Sequence, residues 1–204
     1  MFGDVTRDDV FRIETRRLWL RWPRAADAAA ITAYASLHDV ARMTAAIPHP
    51  YPADGAAQFV ARVCASNASG ESLHLAITEK HGPRALAGVI SIEAGGPALA
   101  RIGFALSPQH WGKGYATEAA QAMIAAVFQL TGVKAVASSV FAGNPASTRV
   151  HAKCGFVSLG HAEMEAPARG RVVTVEQFTL SRRLWRAERS GADTCQLAGC
   201  EAQA

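Results

Sequence analysis

Long apolar runs are missing from this sequence. Its 204 residues are 50% hydrophobic, yet no stretch of about 18 or more apolar residues occurs, and we read no membrane span. Cysteine is scarce. Cys64 and Cys154 lie in segments that read as helices, and Cys195 and Cys200 in a polar tail. That pattern argues against a disulfide framework. Zinc would want a second Cys or His pair near Cys195 and Cys200; none stands there, and no metal is expected. A massed basic block is also lacking. The net charge is +4, and the arginines are scattered (Arg16, Arg17, Arg21, Arg24, then Arg169, Arg171, Arg182, Arg183). Such a balance does not imply nucleic-acid binding; it suits a ligand bearing several phosphates equally well. Met1–Arg12 carries Asp4, Arg7, Asp8, Asp9 and Arg12 without the apolar stretch of a signal peptide, so the cytosol is the expected location. There is no internal repeat and no interdomain linker. We expect an N-terminal extension over 1–11, one domain over 12–185 and a disordered tail over 186–204.

What is present is a regular alternation of strand and helix signals. Arg12–Trp22 reads as a first strand, with Ile13, Leu18 and Leu20 apolar and Pro23 ending it. Asp27 opens an Ala-rich helix to about Leu37. His38–Tyr51 reads as loop, forced by Pro48, Pro50 and Pro52. Ala53–Ser66 reads as a second helix. Ser72–Thr78, Ala85–Glu93 and Arg101–Leu106 are strand-like, and the turns at His81-Gly82-Pro83 and Gly95-Gly96-Pro97 predict an antiparallel meander. A strong helix follows over Tyr115–Thr131, stopped at Gly132. Val133–Phe141 is a further strand. Asn144-Pro145 starts a helix ending at Gly155, with Asn as cap and Pro in its favoured first position. Phe156–Glu165 and Arg171–Leu180 close as a hairpin. The order is mixed α/β, and the helices at Tyr115 and Pro145 could be crossovers.

The chemistry is concentrated where a strand ends and a helix begins, at Leu106-Ser-Pro-Gln109-His110-Trp111-Gly112-Lys113-Gly114-Tyr115-Ala116-Thr-Glu118. Glycines let backbone N–H groups approach a ligand. The first helical turn adds unsatisfied donors and a positive dipole end, a combination suited to phosphates. The dinucleotide fingerprint fails because Thr117 stands where its third Gly belongs. The nucleotide-triphosphate loop fails because Tyr115 follows Gly114. Glu118 reads as a helix-start acid.

What remains, Gln109-x-x-Gly112-x-Gly114, resembles the Gln/Arg-x-x-Gly-x-Gly/Ala signature of GNAT acetyltransferases. Asn144-x-x-Ser147-x-x-Val150-x-x-Lys153-x-Gly155-Phe156 resembles the helix motif of the same family. Thr15-Arg16-Arg17-Leu18-Trp19-Leu20-Arg21, Gly88-Val89-Ile90 and Ile102-Gly103-Phe104 also fit, and Trp111–Ala119 resembles the RimJ/RimL-type branch. The resemblance covers about Arg12 to Trp185. It implies a mostly antiparallel, partly splayed sheet of six to seven strands flanked by about four helices. It further implies acetyl-coenzyme A as co-substrate and a primary amine as acceptor, with no nucleic-acid or membrane partner; a homodimer is compatible with it. By the same resemblance, Gln109, His110, Trp111, Gly112, Lys113, Gly114, Tyr115 and Ala116 hold the pyrophosphate. Phe104, Ala105, Leu106 and Asn144 meet the pantetheine arm, Ser147 lies beside it, and an N–H near Leu106 serves the oxyanion. Many members carry a Tyr seven residues after the Asn; here that position is His151, either a proton donor or an exposed helix residue. Ser147 is the alternative donor, which the RimJ/RimL resemblance favours. Glu93 is the candidate base, with His74 in the neighbouring strand, and either could instead be structural. Arg101 stands where an acid is usual in this branch. Cys154 sits where core packing is usual, although a thiol nucleophile beside His151 is the other reading. A non-catalytic acyl-coenzyme A or peptide binding module of the same fold is the competing function.

Overall fold

A computed structural model describes residues 1–81 and 85–187. The segment expected to be one strand at Arg12–Trp22 is a hairpin instead. Strands β1 (Arg12–Glu14) and β2 (Leu18–Arg21) pair antiparallel, because the chain reverses at Thr15–Arg17, where the Thr15 N–H donates to the Leu18 carbonyl. That split raises the strand number to eight. Next come helices α1 (Ala28–Ala35), α2 (His38–Ala41) and α3 (Gly55–Ser69). The short α2 falls where the prolines predicted only loop; they all follow it in the chain and leave its four residues free to turn.

Strands β3 (Ser72–Glu79), β4 (Leu86–Gly96) and β5 (Leu99–Leu106) form the predicted meander. Helix α4 (Tyr115–Leu130) leads to β6 (Ala135–Phe141), α5 (Pro145–Lys153) to β7 (Val157–Ala166), and β8 (Arg171–Ser181) follows. The sheet order is β1-β2-β3-β4-β5-β6-β8-β7. Both α4 and α5 are therefore crossovers. The first joins the parallel pair β5 and β6; the second passes over β8 to the far edge. Residues 182–187 are helical; the rest of the expected disordered tail, residues 188–204 with Cys195 and Cys200, lies outside the described residues.

The two sheet faces bury different partners. Leu18, Leu20, Leu73, Leu75, Ile90, Ile92, Ala100 and Ile102 pack on Ala119, Ala120, Met123, Ile124 and Val127 of α4. Across the sheet, Ala76 and Leu86 pack on Ile31, Tyr34 and Ala35 of α1, Val40 of α2, and Ala56 and Val60 of α3, with Ala105 partly covered there. Side chains alternate between faces along each strand. Glu93, Arg101, Gly103, Ala105 and Phe141 accordingly belong to the α1–α3 face, and Ile102, Phe104, Leu106, Val136 and Val140 to the α4 face.

Candidate active site

Strands β5 and β6 pair only from Leu99↔Ala135 to Arg101↔Ala137 and then part. A wedge opens between Ile102–Leu106 and Ser138–Phe141. The Ser107 N–H donates to the Ala87 carbonyl on β4, so by alternation the main-chain groups of Ile102, Phe104 and Leu106 turn toward the wedge. Two of their carbonyls are held from outside the ladder: Ile102 O accepts from Ser138 Oγ at 3.1 Å, and Leu106 O from Trp111 Nε1 at 2.9 Å. Among the described residues, the N–H and C=O of Phe104 and the N–H of Leu106 have no partner and form a free strand edge.

The glycine turn sits at the mouth of this wedge. Gly112 and Gly114 have φ of +73° and +76°, a conformation that L side chains resist. The first intrahelical bond runs from the Glu118 N–H to the Gly114 carbonyl at 3.1 Å. The N–H groups of Tyr115, Ala116 and Thr117 therefore lack intrahelical acceptors and carry the positive end of the α4 dipole. Beside them is a groove of about 390 Å³ lined by Arg16, Arg17, Gly114, Thr117, Glu118, Gln121 and Lys153. Gln109, Trp111 and Lys113 are exposed, whereas the His110 side chain turns inward. Its Nε2 lies 3.7 Å from Glu79 and its ring stacks on Tyr115, whose hydroxyl donates to Glu79 at 3.0 Å.

Glu118 does more than start the helix. Its carboxylate accepts from Thr15 Oγ1 at 2.6 Å, from the Arg17 N–H at 2.8 Å and from Arg17 Nε at 2.6 Å. Arg17 Nη1 also donates to the Lys113 carbonyl at 2.9 Å, and the guanidinium lies over the Tyr115 ring. Burial raises the Glu118 pKa, but the bonds from Thr15 and Arg17 outweigh it and hold the group below its ordinary value. The β1–β2 turn thus braces the glycine turn. Arg17 as brace, and Arg16 and Lys153 as groove cations, were not assigned from the sequence. The signal was there, in the Thr15–Arg21 run and in Glu118.

On the α4 face, α5 closes the wedge. Asn144 caps it, accepting from the Ser147 N–H at 3.1 Å. His151 is not an exposed helix residue: it is 2% accessible, boxed by Phe104, Phe156 and Phe178 with ring centroids at 5.7, 5.0 and 4.9 Å. Its Nδ1 meets the Ser147 carbonyl at 2.8 Å, and its buried Nε2 has no partner among the described residues. Burial holds the His151 pKa below its usual value, against the Ser147 carbonyl and Glu176. The neutral ring thus donates Nδ1–H to Ser147 and keeps a lone pair at Nε2. Ser147 is half-buried. Cys154 is buried in the core, its thiol toward the Thr117 carbonyl at 3.9 Å.

The opposite face gathers the two candidate bases. Glu93 and His74 line one depression of about 380 Å³ with Arg62, Ser66, Glu71 and Ser72, beside the closed end of the wedge. His74 Nε2 is 3.7 Å from the exposed Glu93 carboxylate. Burial and then Arg62 push His74 down to about 4, so the ring is neutral at neutral pH.

Three comparisons bear on this arrangement. The family model described as "Acetyltransferase (GNAT) domain" matches residues 17–157. An N-acetyltransferase of Bacillus licheniformis, p20, itself uncharacterised, is 32% identical over 84 residues; the match spans 41% of this chain and 47% of that protein, about half its length. Among solved structures, a ribosomal-protein-S5-alanine acetyltransferase from Vibrio fischeri superposes with a TM-score of 0.72 at 19% identity, over 86% of this chain and 98% of the other. The microcin C7 self-immunity acetyltransferase MccE, in complex with acetyl-CoA and AMP, superposes with a TM-score of 0.71 at 19% identity, over 82% and 93%. At such identities the superpositions show a common fold.

Proposed function

The chain belongs to the GNAT acetyltransferase family, and from that premise we propose that it moves an acetyl group from acetyl-coenzyme A to a primary amine, by direct attack with both substrates bound. The observation that carries this reading is the pair of left-handed glycines opening α4 beside a free strand edge. The motif at Trp111–Ala119 supports the RimJ/RimL-type branch, and with it a protein N-terminus as one acceptor and a small-molecule amine as the other.

Acetyl-coenzyme A supplies the acetyl group as a thioester. The residues fit it. The N–H groups of the glycine turn and first helical turn, with Arg16 and Lys153, would hold its phosphates. The N–H and C=O of Phe104 would pair with the pantetheine amides as an added strand, with Asn144 facing it from α5. The Leu106 N–H would stabilise negative charge on the carbonyl oxygen. The acceptor would enter from the α1–α3 face and must be neutral to attack. An α-amine, with pKa about 8, meets that condition more easily than a lysine near 10.4. Glu93 or the neutral His74, which lie toward the closed end of the wedge, would take up its proton through a chain of waters. We assign the proton for the leaving thiolate to a relay through the Ser147 hydroxyl, which would give up its proton while taking one from water, because the proton on neutral His151 is already donated to the Ser147 carbonyl. His151 would instead floor the wedge and accept a hydrogen bond at Nε2.

Calorimetric titration with coenzyme A and a thiol-release assay against a panel of amines and peptides test this reading. Binding together with turnover of any amine supports it. Tight binding with no acceptor favours a non-catalytic module. No binding at all overturns it.

A further inference from the structure

At the mouth of the wedge one arginine crosses from the C-terminal half of the sheet to the N-terminal half. Arg169 lies in the short turn Pro167–Arg169 between β7 and β8. Its Nη2 donates to the Ala41 carbonyl of α2 at 2.7 Å and its Nε to the Thr44 carbonyl at 3.2 Å. The guanidinium carbon stands 4.6 Å from the centroid of the Phe141 ring. Phe141 ends β6, and continuing the register Arg101↔Ala137 sets it level with Ala105 on β5. Both side chains belong to the α1–α3 face, the side from which an acceptor would come.

The described residues leave this charge unneutralised. Both partners are neutral carbonyls. None of the ion pairs among the described residues includes Arg169, and its Nη1 has no hydrogen-bond partner among them. The group is half-buried, and burial, then Arg171, act against its protonated form. A charge partly removed from water and bonded only to dipoles gains when an anion arrives. A guanidinium whose plane is fixed by two bonds and a ring presents its remaining N–H groups in one direction, the geometry that suits carboxylate and phosphate.

We propose that Arg169 selects the acceptor: the preferred amine carries a carboxylate or phosphate within a few bonds of its nitrogen, and that anion docks on Arg169 while the amine points into the wedge. This rests on the acetyltransferase reading above and narrows its acceptor class.

Matched pairs test it, with binding measured by calorimetry on the coenzyme A-loaded protein and turnover by thiol release. One arm compares free amino acids with their amides, the other O-phosphoethanolamine with ethanolamine, which separates carboxylate from phosphate. The charged member of at least one arm is expected to bind about 10-fold or more tightly, by the strength of charge-assisted pairs, and the ratio should shrink as salt rises. Arg169→Met should bring the ratio toward one, through KM rather than kcat, whereas Arg169→Lys should keep its sign. A purely structural strap would lower both members of each pair together. Neutral members binding as well as their charged partners, neither binding, or a ratio indifferent to both salt and Arg169→Met overturns the inference. If Arg169→Met does not fold, the wild-type ratio and its salt dependence decide. Loss of coenzyme A binding would instead overturn the broader reading, and the two failures are read in separate titrations.

Discussion

Gly112 and Gly114 are the residues on which the proposed phosphate binding would turn, because both hold a positive φ that lets the backbone N–H groups of the turn approach a ligand. An L residue in that conformation costs roughly 1–2 kcal/mol. We expect Gly114→Ala to relax the turn and weaken coenzyme A binding by roughly 5- to 30-fold, a figure that follows from this cost. Unchanged affinity in a folded variant would contradict the site. Buried histidines set a second residue-scale expectation. His74 is pushed down to about 4, and His110 and His151 are also lowered, in each case chiefly by burial. Such rings are protonated more readily in the unfolded chain, which therefore binds more protons below about pH 6.5, and stability falls as pH falls. For His74 the contribution is complete above about 6.5 and is lost by about 4, a change of about 3 kcal/mol at most. Urea midpoints measured from pH 7 to pH 4.5 should decline, and less steeply in His74→Gln; equal slopes would remove His74 as a cause.

At the scale of elements, the contact between the β1–β2 turn and the first turn of α4 decides how firmly the glycine turn is held. Glu118 is 16% accessible in this pair and receives three charge-assisted hydrogen bonds. Because its pKa is lowered, its contribution is present above the ordinary carboxylate value and is lost as pH falls through the folded one. Glu118→Ala is expected to cost about 1.5–3 kcal/mol, the range for bonds to charged groups, because its donors Thr15 and Arg17 are half-buried and can turn to water. It should also loosen coenzyme A binding, because Arg17 would no longer be fixed against the Lys113 carbonyl. A double-mutant cycle with Arg17→Ala should give a coupling above about 1 kcal/mol; additive losses would mean the brace is not a unit.

For the whole molecule, the wedge is a place where two halves of one sheet separate and main-chain groups are left for a ligand. A ligand that binds only the folded form stabilises it by mass action, about 2.7 kcal/mol at 100 times its Kd. Coenzyme A at that excess should raise the thermal midpoint by roughly 5–10 °C for a domain of this size. The gain should be lost in variants with bulky residues at Gly112 and Gly114. A midpoint indifferent to coenzyme A would argue that the wedge holds something else.

Local structure was legible from the residues alone. The glycine turn, the Asn144-Pro145 cap, the long α4 and the meander all depend on neighbours within a few positions, and periodicity and turn preference report those directly. Tertiary structure decided what distant segments do to one another. The reversal at Thr15–Arg17, which made two strands of one expected, is closed locally between Thr15 and Leu18 and braced by Glu118, about a hundred residues away. His151 is buried because Phe104 and Phe178 arrive from β5 and β8, which no spacing along α5 could announce. Arg169 gained its place only when a hairpin tip met the carbonyls at the end of α2. Where β5 and β6 stop pairing is likewise set by packing between the sheet halves, since the residues on either side of the split have the same strand-forming character.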